Sequence, residues 1–470
     1  MRVSYLFLSL SFVAACSSKV LPGPTEWNRS VVAPADQDAQ TQRTACGYKA
    51  GSLPAETQGK SYPMGSQIPI DHIVVIMMEN RSFDHYFQKL PENGQPDAEV
   101  APAGFTNPDL DGNPVAPYHD EQQCFVDTAH GWSAVHDEIN GGKMDGFFRA
   151  NDGTHEMPMG GSLELLSGKR GMTYYEPADL PFMYWAANEY AIADHYHCSV
   201  PGPTWPNRMY LYGATSRGKT SNEFVMNNDN TIFDILEKRQ VNWTIYYHRL
   251  PGLGVFVDRY TYYLGADDGP ARIKMFNTDF FADVAAGKLP EVAFLDPDIG
   301  HEAPGQNDEH PPAVMHVGQK WLASIVDAIA KGPNWSSTAI FITYDEHGGL
   351  YDHVVPPAAC PPDDYAPELA AGDAQGKFDQ LGPRVPMIVI SPYAKKKYVG
   401  HHVYDHTSIV RFIEARFTMP AMTARDANAE APWDLFDFDK IPNKTPPSSV
   451  PMPTVDDAKI AACVAQLPQE

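Results

Sequence analysis

Two stretches of this chain carry a hydrophobic run that ends on oxygen-bearing side chains. His72-Ile73-Val74-Val75-Ile76-Met77-Met78 gives way to Glu79-Asn80-Arg81-Ser82-Phe83-Asp84. A second run closes Ile342-Thr343-Tyr344 and continues Asp345-Glu346-His347-Gly348-Gly349. Apolar runs of this length suit strands buried on both faces. Open parallel sheets carry their sites at the carboxyl ends of such strands. If the two strands are neighbours, Glu79, Asn80, Asp345 and Glu346 converge. Carboxylates gathered in one cleft repel unless a cation sits between them. Hard oxygen donors suit Mg, Ca or Mn, with Zn also compatible, so one divalent metal ion is expected. Taken alone, Glu79 reads as well as a strand-end cap or salt-bridge partner; two oxygen-rich strand ends together favour a site.

A third segment, Gly202-Pro203-Thr204-Trp205-Pro206-Asn207-Arg208, places Thr204 where a helix N-cap would fall and Pro206 in the first turn. A helix N-terminus welcomes phosphate, and a hydroxyl there beside a metal can be a nucleophile. From this segment alone a plain threonine cap is the stronger reading. The chain has 17 histidines. His130, in Asp127-Thr128-Ala129-His130-Gly131-Trp132, His310, in Asn307-Asp308-Glu309-His310-Pro311-Pro312, and His353, in Tyr351-Asp352-His353-Val354, all sit in acidic segments. That setting points to acid–base or phosphate-binding work.

These residues need a scaffold. Further strands are expected over Trp243 to Tyr247, Val292 to Leu295, Ala339 to Tyr344 and Val385 to Ile390. Helices are expected over Thr231 to Lys238, Val314 to Lys331 and Thr407 to Phe417. Alternation of this kind predicts a doubly wound α/β sheet. Residues 88 to 200 show few strand patterns and read as a large insertion over the site.

Composition bounds the rest. A net charge of -24 argues against nucleic acid, whose phosphates call for Lys and Arg. It leaves a phosphate substrate open, because a bound cation inverts the local charge. Arg2, an apolar stretch from Leu6 to Val13 and the box Val13-Ala14-Ala15-Cys16 predict a lipoprotein signal peptide over residues 1–15 with lipidation at Cys16. The expected address is that of an exported bacterial lipoprotein at the outer membrane or in the periplasm, tied to the membrane through its lipid. Residues 16–68 read as a tether, 69–440 as the catalytic domain and 441–470 as a proline-rich tail with a short helix near Val455 to Ala465. Setting Cys16 aside, five cysteines allow two disulfides and one free thiol in an oxidising compartment; their pairing stays open.

Glu79-Asn80-Arg81-Ser82-Phe83-Asp84-His85-Tyr86-Phe87 resembles the first signature of the phosphoesterase family that includes bacterial and plant non-specific phospholipases C and an AcpA-like acid phosphatase branch. Thr204-Trp205-Pro206-Asn207-Arg208 resembles its TxPNR signature. The segments Asn307 to Pro312 and Asp345 to Val354 resemble its third and fourth, and Gly382 to Pro386 and Tyr404 to Ser408 also fit. The resemblance spans roughly residues 70 to 440, in family order. It implies an alkaline-phosphatase-like α/β fold with a single catalytic metal held by Glu79, Asn80, Asp345 and Glu346. It makes Thr204 the nucleophile and His130, His310 and His353 partners of the phosphate or leaving group. Asn80, Asn207 and Arg208 become substrate-binding residues. Two departures stand out: Gln88 follows Phe87 where a glycine is usual, and the leader carries no twin arginine. The substrate is then a phospholipid, cut as by a phospholipase C, or a phosphomonoester, cut as by a broad acid phosphatase. A surface lipoprotein that binds without catalysis is the rival from another class, and the intact set of ligands and nucleophile counts against it.

Overall fold

The structure, a computed structural model, describes residues 21–121, 123–153, 167–226, 230–300 and 303–467. The leader and Cys16 lie outside these residues. The main strands are β1 (His72–Met78), β2 (Ala191–Ala193), β3 (Trp243–Tyr247), β4 (Ile273–Met275), β5 (Val292–Asp296), β6 (Thr338–Tyr344), β7 (Met387–Ile390) and β8 (Tyr398–Gly400). They form one eight-stranded sheet in the order β8-β2-β7-β6-β1-β5-β3-β4. Only β7 runs against its neighbours, β6 and β2; every other pairing in the sheet is parallel. The fold is therefore α/β with a mostly parallel sheet, as the alternation of patterns predicts.

Seven helices matter below: α1 (Asp36–Thr44), α2 (Trp132–Ile139), α3 (Thr204–Gly213), α4 (Ile232–Arg239), α5 (Met315–Lys331), α6 (His406–Phe417) and α7 (Asp457–Gln466). The sheet is covered from both sides. Phe341 of β6 packs on Phe412 of α6 at 5.2 Å between ring centroids. Tyr344, of opposite parity on the same strand, turns to Glu309, which Gln319 of α5 also holds. The centre of the core is β1 and β6, in which nearly every side chain is buried. That burial explains their unbroken hydrophobic runs.

Three expectations need correction. Residues 21–68 do not read as a free tether: α1 forms, Leu53 and Ile68 are buried, and Cys46 is bonded to Cys360. The stretch 88–200 is not wholly insertion, because Ala191–Ala193 pairs within the main sheet. Val385 and Pro386 precede β7 rather than open it. The second disulfide joins Cys124 to Cys463, and Cys198 is free and buried. Among the described residues no helix is long and apolar enough to cross a membrane.

Candidate active site

The register of the sheet builds the site. Met78 pairs with Tyr344 at the last rung of the β1–β6 ladder, so Glu79 and Asp345 are the next residues out on adjacent strands. Asp345 organises both ends. Its Oδ1 accepts from the backbone N–H of Asn80 at 3.1 Å and of Glu346 at 2.7 Å. Its carbonyl faces His406 Nε2 of α6 at 2.7 Å. Asn80 sits at φ 59°, a left-handed conformation that asparagine tolerates better than most residues. Gly348 and Gly349 follow, both at φ 66°; a Cβ there would lie 2.5 Å from Asn80 O and 2.3 Å from Ala129 O respectively. Only glycine lets the strand end, the Asn80 turn and the segment carrying His130 approach so closely.

Two buried oxygens in this group, Asn80 Oδ1 and Glu346 Oε1, have no hydrogen-bond partner among the described residues. The rest of both side chains is fixed. Asn80 Nδ2 lies 3.4 Å from His130 Nε2, and Glu346 Oε2 accepts from Gly348 N at 2.6 Å. Buried acceptors left open in this way cost free energy unless a ligand occupies them. Sequence reasoning missed one neighbour, Asp308, which faces Glu79. It stands two residues before His310, inside a segment already singled out. Burial, with Asp345 close by and His130 pulling the other way, pushes the Glu346 carboxyl up to about 8. Burial likewise pushes Asp308 up to about 6 and Glu79 well above the usual range, Glu79 despite the Arg208 guanidinium. Hard, crowded oxygen donors held against their own ionisation fit a divalent cation.

Helix α3 brings the third segment in. Pro203, not Thr204, is its N-cap, and Thr204 is the first helical residue. Its hydroxyl makes no hydrogen bond to the described residues, so the plain-cap reading fails. Four residues on, and so on the same helix face, Arg208 donates from Nε to Asp345 at 3.0 Å and from Nη2 to Glu79 at 3.2 Å. It also binds the carbonyls of Met77 and Met78. Arg208 is thus the internal counter-charge of the acidic strand ends, and its Nη1 has no hydrogen-bond partner among the described residues. Asn207 is also turned inward. Its Oδ1 takes Val200 N at 3.0 Å and its Nδ2 reaches the carbonyls of Val200, Gly202 and Pro203. It shapes the loop that presents Thr204.

The three histidines part company. His130 Nδ1 donates to Thr128 O at 2.6 Å, which turns Nε2 towards Asn80 Nδ2 at 3.4 Å and Glu346 Oε1 at 3.9 Å. His310 Nδ1 likewise donates to Pro311 O at 2.6 Å. Their rings are 6.1 Å apart, and each reaches a different oxygen of Asp127 at 3.8 Å. Asp127, His130 and His310 form one group whose ligand atoms lie close enough together to hold a metal ion. His353 belongs elsewhere. Its Nδ1 is 2.6 Å from Asp84, whose carboxylate and that of Asp352 are each bound by Arg384 at 2.9 Å. Although Asp84, Asp352 and His353 also make a metal-sized group, Arg384 already neutralises it. The structure does not bring His353 to the other two.

A cleft of about 1080 Å³ borders this arrangement at Asp127, His130 and Pro203, with Trp132, Arg149 and Arg170 also in its wall. Phe147 and Phe148 are buried in a small satellite core.

Comparison with known proteins places this geometry. The Phosphoesterase family model matches residues 70–420. The non-hemolytic phospholipase C of Burkholderia pseudomallei (strain K96243) is 33% identical over 408 residues, covering 74% of this chain and 55% of that protein. The chain thus spans little more than half the length of that relative. The non-specific phospholipase C6 of Arabidopsis thaliana is 30% identical over 414 residues, covering 82% of this chain and 75% of that protein. Among solved structures, a protein in the alkaline phosphatase superfamily from Vibrio parahaemolyticus matches with a TM-score of 0.40 at 7% identity, covering 86% of this chain and 79% of that one.

Proposed function

Because the chain belongs to the Phosphoesterase family, whose members hydrolyse phosphoric esters, we propose that it is a metal-dependent phospholipase C with Thr204 as nucleophile. The observation that carries this reading is the pair of open buried oxygens, Asn80 Oδ1 and Glu346 Oε1, at strand ends that Arg208 ties to the helix beginning at Thr204. Asn80, Glu346, Glu79 and Asp345 would hold the cation. When bound, it would neutralise the carboxylates and make the Thr204 hydroxyl easier to deprotonate.

The chain's own groups account for the proton traffic. Thr204 Oγ1 attacks phosphorus, and the bond from phosphorus to the glycerol oxygen breaks. The hydroxyl proton passes to the His130 ring, which Thr128 O holds through Nδ1, and from there to the departing glycerol oxygen. The phosphate remains esterified to Thr204 at the start of α3, where the helix dipole favours its charge. Water then attacks, giving its proton to His310 Nε2. The Thr204–phosphorus bond breaks, His310 passes its proton back to Thr204 Oγ1, and the headgroup phosphate leaves. Asp127, within reach of both rings, steadies whichever is protonated. The names of the relatives and a cleft larger than a phosphomonoester needs support a phospholipid over a monoester.

A hydrolysis panel decides. Phosphatidylcholine and p-nitrophenylphosphorylcholine should turn over, and chelation should abolish both. Turnover of p-nitrophenyl phosphate alone would make the protein a phosphomonoesterase, and chelator-insensitive turnover would remove the metal. We also propose that the protein is exported and anchored by a lipid on Cys16; the leader motif and the two disulfides support this. Equal labelling of wild type and Cys16→Ala by a palmitate analogue would sink that idea.

A further inference from the structure

The C-terminal helix α7 does little for the core. Its one buried residue is Cys463, and a ten-residue helix is marginal in water by itself. Yet it is attached to two separate loops, and both carry site residues. On one side, Cys463 is bonded to Cys124 and Lys459 Nζ donates to Glu121 O at 2.9 Å. Those anchors lie at the start of the segment that leads to Asp127 and His130. On the other side, Cys463 Sγ lies 3.7 Å from Pro312 O, and Ile460 lies 3.8 Å from where a Cβ on Gly305 would be. Gly305 and Pro312 bracket Asp308, Glu309 and His310.

The need for such a link follows from the local structure. Residues 123–130 have no helix or strand, and they hold position through scattered bonds. Thr128 reaches Gly348 O, Ala129 N reaches Asn151 at 2.7 Å, and Arg170 reaches Asp127 O at 3.3 Å. None of these three bonds runs to the loop of His310; the two histidines meet ring to ring at 6.1 Å and share Asp127. We infer that α7, with the Cys124–Cys463 bond, is a strap that sets the spacing of the two loops and so positions His130 and His310 against each other. Cys463, Lys459 and Ile460 are positioning residues that act through the loops and touch no substrate. The inference rests on the proposed role of the two histidines.

The test uses the full chain with p-nitrophenylphosphorylcholine, at a temperature well below melting. Cys124→Ala/Cys463→Ala should lower kcat about tenfold or more, as a small misplacement of catalytic groups does, with KM and metal content little changed. Hydrogen exchange should quicken in residues 123–130 and 303–313. Cys46→Ala/Cys360→Ala is the control for generic loss of a disulfide: it should lower the melting temperature while kcat stays within about twofold. If the first variant fails to fold, Lys459→Ala/Ile460→Ser keeps both disulfides and should still lower kcat and quicken exchange in the two loops. A folded strap variant with wild-type kcat and exchange overturns the inference, and so does an equal fall in kcat in both cysteine variants. His130→Ala separates the two layers. If it is inactive while the strap variant is not, the strap alone is wrong; if it is fully active, the reading of the site is wrong.

Discussion

Replacing Glu346 by glutamine should change the pH dependence of the metal-free protein in a direction that a merely structural carboxylate would not produce. The Glu346 carboxyl is fully buried and stands at about 8 in the folded chain, against a value near 4.5 when unfolded. The folded state therefore holds a proton that the unfolded state releases. This contribution is complete below pH 4.5 and is lost as pH rises through 8. Between pH 6 and pH 9 the loss works out at about 3 kcal/mol. Glutamine cannot ionise, so the variant escapes this loss. The assay is urea unfolding of chelator-treated wild type and Glu346→Gln at pH 6, 8 and 9. The wild type should lose about 3 kcal/mol relative to the variant over that range. Added divalent cation should reverse the order at pH 8, stabilising wild type and leaving the variant nearly unmoved. Parallel stability curves without metal would refute the reasoning, because they would mean that the Glu346 carboxylate is already compensated inside the protein.

Thr204→Ala should fold with a melting temperature near wild type, since the hydroxyl caps nothing, yet lose activity by about a thousandfold or more. Thr204→Ser should keep much of it, and an alanine variant within about tenfold of wild type, roughly 1.4 kcal/mol of barrier, would favour direct attack by water. Asn207→Ala leaves Val200, Gly202 and Pro203 groups without partners and should cost about 2–3 kcal/mol of stability; a raised KM with unchanged melting would instead make Asn207 a substrate contact. His353→Gln should lower stability by weakening the Asp84–Arg384 cluster while kcat stays within about fivefold. A loss of several orders of magnitude in steady-state assays would return His353 to the catalytic set.

The long central elements were legible because burial on two faces leaves an uninterrupted pattern. β1 and β3 have the bounds expected from their residues, and β5, β6, α4, α5 and α6 differ by one residue at one or both ends. The three-residue strands β2, β4 and β8 were not legible, since three residues carry no period. Helix α1 was hidden by its composition: only Ala39 and Arg43 are buried, and what holds the segment is a bond to Cys360, 314 residues away. At the site, the convergence of Glu79 with Asp345 followed from strand ends alone. The role proposed for Thr204 did not, and it was the family resemblance that singled it out. Residue type also misled. Asn207 looks like a group that meets a substrate, but a buried asparagine satisfies its donors and acceptor wherever partners lie, and here these lie inward.

Arg208 has a consequence for the order of events in making the enzyme. Its guanidinium joins two acidic strand ends and two main-chain carbonyls before any cation is needed. In small zinc domains the metal must arrive for the chain to fold at all. Here a covalently built-in cation does the first part of that work, so on the metal-dependent reading proposed above the chain would fold first and be metallated last. The metal would then meet a finished socket whose affinity is set by rigid oxygens, and it would leave again without unfolding the protein. On that reading activity would follow the free metal concentration of the surroundings while the amount of folded protein stays constant.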